Sequence, residues 1–106
     1  MTEPLADPLW RNATDLCRDL QRGTIAATTL MENVYARIAA LNPRLNALVD
    51  LIPQEQAMAL AATADAVPIA ERGPLHGLPM APKDAVAVKG FSTSWGYCIY
   101  SNIFIG

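Results

Sequence analysis

The chain has 106 residues, and its 8 Lys and Arg against 10 Asp and Glu give a formal net charge of -2. Without a basic excess to neutralise phosphates, this balance excludes a protein that binds nucleic acid mainly through charge. The 52% of hydrophobic residues excludes an intrinsically disordered chain. Charged residues make up only 17%, whereas complete small domains use about a quarter, so the composition favours part of a larger protein.

The cysteines and the apolar segments exclude several further classes. Cys17 and Cys98 stand far apart, and no CxxC motif or Cys/His cluster predicts a metal site. The longest apolar stretch, residues 57–64, is much shorter than the roughly 18 residues of a membrane span. The first ten residues carry acids and prolines, unlike a signal peptide. We therefore expect a cytoplasmic protein with free thiols, no metal and no membrane contact.

The first part of the chain predicts an irregular segment and then a helix. Residues 1–12 contain Pro4 and Pro8, which break any early helix. Residues 14–22 have apolar side chains at helical spacing, and Gly23 stands where such a helix would end. The apolar positions of this helix are Leu16, Cys17 and Leu20.

Two further helices and a strand are predicted in the middle of the chain. A second helix carries a stripe at intervals of three and four residues and ends at Asn42-Pro43. The short apolar segment 45–52 predicts a strand, and Pro53 fits the first turn of an Ala-rich third helix at 54–66. The stripe of the second helix consists of Leu30, Val34, Ile38 and Leu41.

A shaped loop and short strands are predicted next. Residues 71–79 (ERGPLHGLP) hold two glycines and two prolines, which is typical of a loop of defined shape. Residues 80–83 and 86–88 predict short strands, and Lys89-Gly90 predicts a turn. A single lysine, Lys83, lies in this otherwise apolar segment.

The run GPLHGLPMAPKD, residues 73–84, resembles the lysine-bearing motif of the amidase signature family. The segment GFSTSWG at 90–96 resembles that family's G…T-T-x-G segment, and upstream matches occur at Ala36-Arg37-Ile38, Leu41-Asn42-Pro43 and Asn46-Ala47. The resemblance spans about residues 14–96 and implies an α/β fold, a mixed sheet wrapped in helices, of which this chain supplies the N-terminal helices and first strands. The domain organisation expected is a lead-in at 1–12, amidase-domain sequence at 13–96 and an atypical apolar tail at 97–106.

The resemblance also implies hydrolysis of a C–N amide bond by a Ser–cis-Ser–Lys triad without a cofactor. Only the lysine of that triad matches this chain, at Lys83. A lysine amine in water has a pKa of about 10.4, and burial in apolar surroundings favours its neutral form, which can accept a proton. The apolar neighbours that would favour it are Ala81, Pro82, Ala85 and Val86.

Other polar residues near the motif have simpler interpretations. Asp84 is expected to fix the loop by accepting backbone N–H groups, although a second catalytic role stays open. His76 is the chain's only histidine and is interpreted as a loop residue rather than a base or ligand. Small hydroxyl residues in sequence are most often loop or strand. Those considered as nucleophiles are Ser92, Thr93 and Ser94, and the glycines interpreted as backbone-geometry positions are Gly73, Gly77 and Gly90.

The tail departs from the family pattern. Residues 97–106 are aromatic, β-branched and uncharged where the family has a polar stretch leading into a helix. The family's Gly/Ser-rich segment and both triad serines would lie beyond Gly106. We therefore expect an inactive N-terminal fragment, produced by truncation, frameshift or deliberate cutting, which associates with itself. In the complete enzyme the partner would be a small-molecule amide.

A non-catalytic interaction module is the alternative. The apolar stripes of the first two helices could dock a partner protein, and such a helical hairpin needs no motif lysine. The GPLHGLP…KD motif counts against this alternative as the origin of the chain. Turnover of a simple amide, with Lys83→Ala as control, would distinguish the two.

Overall fold

The computed structural model describes residues 7–83, 86, 88 and 89. Within these residues three α-helices follow one another: α1 is Ala13–Arg22, α2 is Ala27–Leu45 and α3 is Gln54–Ala66. One 3-10 turn, Pro8–Trp10, precedes α1, and another, Ile69–Glu71, follows α3. None of the described residues lies in a β-strand, so the described part of the chain is helical rather than α/β.

The described residues separate into two compact units. The first holds residues 7–47 and 52–79, and therefore the three helices and both 3-10 turns. The second holds residues 48–51 and the described residues from 80 onwards, which are irregular apart from a turn at Lys89. No helix in the described part of the chain is both long and apolar enough to cross a membrane.

Helix α1 begins one residue before the predicted start at residue 14 and ends at Arg22, as predicted. The Asn12 side chain accepts a hydrogen bond from the Asp15 N–H at 2.9 Å, which satisfies one of the free donors of the first turn. Gly23 adopts a left-handed conformation with φ 76°, and its N–H closes the last turn. Leu16, Cys17 and Leu20 are buried on one face of this helix.

Helix α2 extends beyond its predicted end. The sequence places the end at Asn42-Pro43, but the helix passes through Pro43 and ends at Leu45. Asn46 takes the left-handed conformation with φ 49°, and its N–H donates to the Asn42 carbonyl at 2.7 Å. Pro43 has no N–H, so this turn of the helix lacks one backbone hydrogen bond. Asn46 closes the helix after it, because asparagine tolerates the left-handed conformation better than most residues.

The predicted strand at 45–52 is wrong for the described structure. Leu45 belongs to α2, and residues 46–53 have no regular structure. A strand is stable only when a neighbouring strand pairs with its N–H and C=O groups, and no described segment offers such a pair. Apolar side chains in this stretch are consequently uncovered: Val49 is 64% exposed and Leu51 is 44% exposed.

The two strands predicted after the loop are also not observed among the described residues. Residues 80–83 are irregular and exposed, for the same lack of a pairing strand. Val86 and Val88 are not in a strand, while Ala87 lies outside the described residues. The tail at 97–106 and Cys98 also lie outside them.

A small core forms where the three helices meet. Its largest members, Leu20 and Leu30, are each 1% exposed. Helix α3 packs on α2 through Ala57 and Ala61, whose small side chains let the helix backbones approach closely. The core takes up Leu16, Leu20 and Leu30 of the predicted docking stripes, whereas Val34 and Ile38 are half-buried and Leu41 is 42% exposed, so the interaction-module alternative stays a prediction. The buried cluster consists of Leu16, Leu20, Ala27, Leu30 and Ala61.

Candidate functional site

The sequence motif divides into an ordered loop and an exposed lysine segment. The motif loop, defined here as residues 73–79, contains two successive turns, in which the His76 N–H donates to the Gly73 carbonyl and the Leu78 N–H donates to the Leu75 carbonyl. The Leu78 side chain packs against the core cluster, which anchors the far end of the loop. The described structure therefore gives this loop a defined conformation.

Gly77 is required by the geometry of the loop, as the sequence suggests. It has φ 75°, and a Cβ placed there would stand 3.2 Å from the Ala27 Cβ and 3.4 Å from a Leu20 methyl group. Gly73 has neither feature: nothing lies within 4 Å of its Cβ position and its φ is not positive. The backbone-geometry interpretation is thus confirmed for Gly77 and wrong for Gly73, while Gly90 lies outside the described residues.

Arg72 joins the start of the motif loop to two helices. Its Nη1 donates to the Leu20 carbonyl at 2.8 Å, at the C-terminal end of α1. Its Nη2 donates to the Asp65 carbonyl at 2.9 Å and its Nε to the Val67 carbonyl at 3.0 Å, at the end of α3. The Arg72 carbonyl in turn accepts a hydrogen bond from the Gln21 side chain at 3.3 Å.

His76 also binds the end of α3. Its Nε2 lies 2.7 Å from the Ala64 carbonyl, and because a carbonyl can only accept, Nε2 carries the hydrogen. His76 is therefore a loop residue, as interpreted from the sequence, and its side chain holds the loop against α3. No group of three or more His, Cys, Asp and Glu side chains among the described residues could hold a metal ion.

Asp65 holds the N-terminus of α2, which lacks a side-chain cap of its own at Ala26. Its carboxylate accepts hydrogen bonds from the Ala27 N–H at 2.6 Å, the Thr28 N–H at 3.1 Å and the Thr28 hydroxyl at 2.8 Å. Burial acts to raise the pKa of Asp65, but these hydrogen bonds and the charge of Arg72 outweigh it and lower the pKa below its ordinary value. Asp65 is therefore an ionised cap.

Lys83, the catalytic candidate, is exposed to solvent. Its carbonyl accepts a hydrogen bond from the Val86 N–H at 2.9 Å. The apolar cover that the sequence interpretation relied on is absent among the described residues, where Ala81, Pro82 and Val86 are themselves exposed. Asp84 and the hydroxyl residues 92–94 lie outside the described part of the chain, so their predicted roles stay predictions.

Sequence reasoning missed Arg72 and Asp65, although two signals pointed to them. Ala26 cannot cap α2, so a cap had to come from elsewhere in the chain. Helix α3 has neither a glycine after its last turn nor a basic residue within it, so its carbonyls needed other donors. The Asp65 carboxylate lies 37 and 38 positions from the N–H groups of α2 that it accepts, so the local sequence does not reveal this cap. Arg72 follows Asp65 and Val67 by only seven and five positions, but the sequence does not show that its guanidinium turns back onto their carbonyls.

The family follows from a comparison with known proteins. Residues 29–104, more than half of the chain, match the profile of the family described as Amidase. The chain belongs to the amidase family. The matched residues include the motif loop and Lys83, so the resemblance noted from those residues is confirmed.

Several curated amidase-family relatives resemble the chain. It is 37% identical over 84 residues to a subunit of the glutamyl-tRNA(Gln) amidotransferase of Lysinibacillus sphaericus, covering 79% of this chain and 17% of that protein. It is 30% identical over 88 residues to an acylamidase of Rhodococcus erythropolis, covering 82% of this chain and 18% of that protein. The chain spans less than a fifth of the length of these relatives. No solved structure matches it significantly.

Proposed function

We propose that this chain supplies the lysine base of an amide hydrolase, with Lys83 as that base in a Ser–cis-Ser–Lys triad. The observation that carries the proposal is the amidase-family match over residues 29–104, which includes Lys83 within its GPLHGLPMAPKD motif. In this mechanism the lysine accepts a proton through the second serine while the first serine attacks the amide carbonyl. The two triad serines would lie in amidase-domain sequence outside the matched residues 29–104.

The exposure of Lys83 defines what the rest of the enzyme must contribute. An amine accepts a proton only in its neutral form, and removal from water favours that form. We infer that further amidase-domain residues cover Lys83 and its exposed neighbours Ala81 and Pro82.

The names of the relatives support a proposal for the substrate class. One is named as an acylamidase and another as a subunit of the glutamyl-tRNA(Gln) amidotransferase. The name acylamidase describes an enzyme that cleaves an amide C–N bond, and a Ser–cis-Ser–Lys triad cleaves the same kind of bond. We therefore infer that the substrate is a small-molecule amide. No cofactor is needed for this chemistry, because the lysine and the serines move the proton and form the acyl intermediate themselves.

A chimeric enzyme tests the base role. Residues 13–96 replace the matching segment of the Rhodococcus erythropolis acylamidase, and amide hydrolysis is followed with variants at Lys83. Lys83→Ala should lower kcat by about 10²–10⁴-fold, the range for loss of a general base. Lys83→Arg should be nearly as harmful, because a guanidinium stays protonated.

The matched control is Lys89→Ala, which removes another exposed lysine of the same unit and should leave kcat unchanged. Near-normal kcat in Lys83→Arg would contradict the base role. An equal loss in Lys89→Ala would indicate that the chimera responds to charge or folding rather than to the base.

A further inference from the structure

We infer that Arg72 is a positioning residue, which fixes the motif loop by joining it to the C-terminal ends of α1 and α3. Its relevance to catalysis rests on the proposed function, because Lys83 follows Pro79, the end of that loop, by four residues along the chain. Arg72 would touch neither substrate nor the reacting atoms. Its effect on the reaction passes through the conformation of the motif loop.

The C-terminal end of α3 lacks donors that Arg72 provides, and the end of α1 gains a further donor from the same side chain. The last carbonyls of an α-helix have no N–H partner within the helix, and buried ones must find a partner elsewhere. At the end of α3 the backbone offers only a turn from the Val67 N–H to Ala64. Arg72 satisfies the carbonyls of Asp65 and Val67 there. In α1 it adds a second donor to the Leu20 carbonyl, which already accepts the Gly23 N–H at 3.2 Å.

Only an arginine fits this arrangement. A guanidinium presents five N–H donors in a rigid plane, and Arg72 uses Nε, Nη1 and Nη2 on three carbonyls at 2.8–3.0 Å. A lysine would keep the positive charge near Asp65 but could not reach three separated carbonyls with one ammonium group. The charge and the geometry of Arg72 can therefore be separated by substitution.

The Arg72 side chain makes three of the hydrogen bonds that hold the near end of the motif loop. The far end is held by His76 on the Ala64 carbonyl and by Leu78 in the core. At the near end, the other hydrogen bonds are weaker ones, from the Gln21 side chain to the Arg72 carbonyl at 3.3 Å and from the Arg72 N–H to the Ile69 carbonyl at 3.2 Å. Loss of the guanidinium would release the loop while α2 keeps its own hydrogen bonds.

Backbone hydrogen exchange on the whole 106-residue chain tests the inference directly. The reporters are the His76 and Leu78 amides, whose hydrogen bonds form the two turns of the loop. Arg72→Met should speed their exchange by at least about ten-fold, because hydrogen bonds from a charged group are lost. Amides in the middle of α2 should change much less. Arg22→Met, which removes an exposed arginine, is the matched control and should change neither set.

Three results would overturn the positioning role. Unchanged exchange at His76 and Leu78 in Arg72→Met would mean that the loop holds itself. An equal rise in the middle of α2 would mean that Arg72 only stabilises the whole unit. Full protection in Arg72→Lys would mean that the charge suffices and that the three carbonyl bonds are dispensable.

The acylamidase chimera tests the catalytic consequence. Arg72→Lys there should lower kcat by about ten-fold or more with little change in KM, because the base is misplaced while substrate binding is retained. An unchanged kcat, in a chimera that Lys83→Ala inactivates, would overturn the catalytic consequence and leave Arg72 structural. Retained activity in Lys83→Ala would instead overturn the proposed function, and the exchange experiment would still decide whether Arg72 holds the loop.

Discussion

Asp65 and Arg72 carry opposite charges, and each side chain forms hydrogen bonds at helix ends whose dipole has the opposite sign. The Asp65 carboxylate lies at the N-terminus of α2, where the helix dipole favours negative charge. The Arg72 guanidinium lies at the C-terminal ends of α1 and α3, where the dipole favours positive charge. Tyr35 is buried and donates its hydroxyl to the Ile52 carbonyl at 2.6 Å, and burial raises the pKa of its phenol. In this unit, the side chains of Asp65, Arg72 and Tyr35 therefore form hydrogen bonds with backbone N–H and C=O groups.

The lowered pKa of Asp65 predicts an acid-dependent loss of stability. Because the folded-state pKa lies below the ordinary value of 3.8, the contribution is complete above 3.8 and is lost as the pH falls through the folded-state pKa. Asp65→Asn should lower the free energy of unfolding by about 1–2 kcal/mol at neutral pH, since an amide cannot accept all three hydrogen bonds. Urea unfolding at neutral and strongly acidic pH measures the difference.

The difference between wild type and Asp65→Asn should shrink at acidic pH, where the wild-type carboxyl is protonated. Glu32→Gln, on the exposed face of α2, is the control and should have little effect at either pH. A difference between wild type and Asp65→Asn that is independent of pH would show that the charge of Asp65 contributes nothing to the cap.

At the scale of elements, the sequence predicts those helix boundaries and helices that depend on residues close together in the chain. The start and end of α1 follow from Asn12 and Gly23, and the Ala-rich segment at 54–66 is the helix α3 that it predicts. The end of α2 was mispredicted because the general effect of proline at 43 is outweighed by the closure at Asn46. The strand at 45–52 was mispredicted because pairing depends on segments distant in sequence, which a local apolar pattern does not contain.

The motif loop offers a prediction at this scale through its two glycines. Gly77→Ala should lower the free energy of unfolding by about 1–2 kcal/mol, because φ 75° strains an L-residue and the new methyl group approaches Ala27. Gly73→Ala should be neutral or slightly stabilising, since its Cβ position is open. Thermal or urea unfolding of both variants checks this. Equal losses at the two positions would contradict the geometric distinction.

At the scale of the whole molecule, much apolar surface is uncovered. Several large apolar side chains of the described residues are more than half exposed to solvent. Soluble monomers rarely expose large contiguous apolar patches. The core that remains is formed largely by alanine and leucine from three short helices. The most exposed large apolar residues of the described part of the chain are Trp10, Leu45, Val49, Leu75 and Met80, at 64–73%.

This exposure predicts self-association of the isolated chain. Size-exclusion chromatography should give oligomers or a broad void peak, because uncovered apolar surface is removed from water when copies associate. Deletion of residues 97–106, an uncharged segment rich in Ile, Tyr and Phe, should improve solubility. The same preparation should not hydrolyse an amide. A sharp monomer peak with a cooperative thermal transition would contradict the prediction.

The remote capping of the helices has a consequence for synthesis on the ribosome. The Asp65 cap of α2 lies 38 residues beyond Ala27, and the Arg72 donor to α1 lies 52 residues beyond Leu20. During translation, α2 therefore emerges before the carboxylate that caps its N-terminus has been made, whereas α1 has its own caps at Asn12 and Gly23. We therefore expect α2 to gain its N-terminal cap only after residue 65 has left the exit tunnel, and α1 and α3 to be joined only after residue 72 has followed.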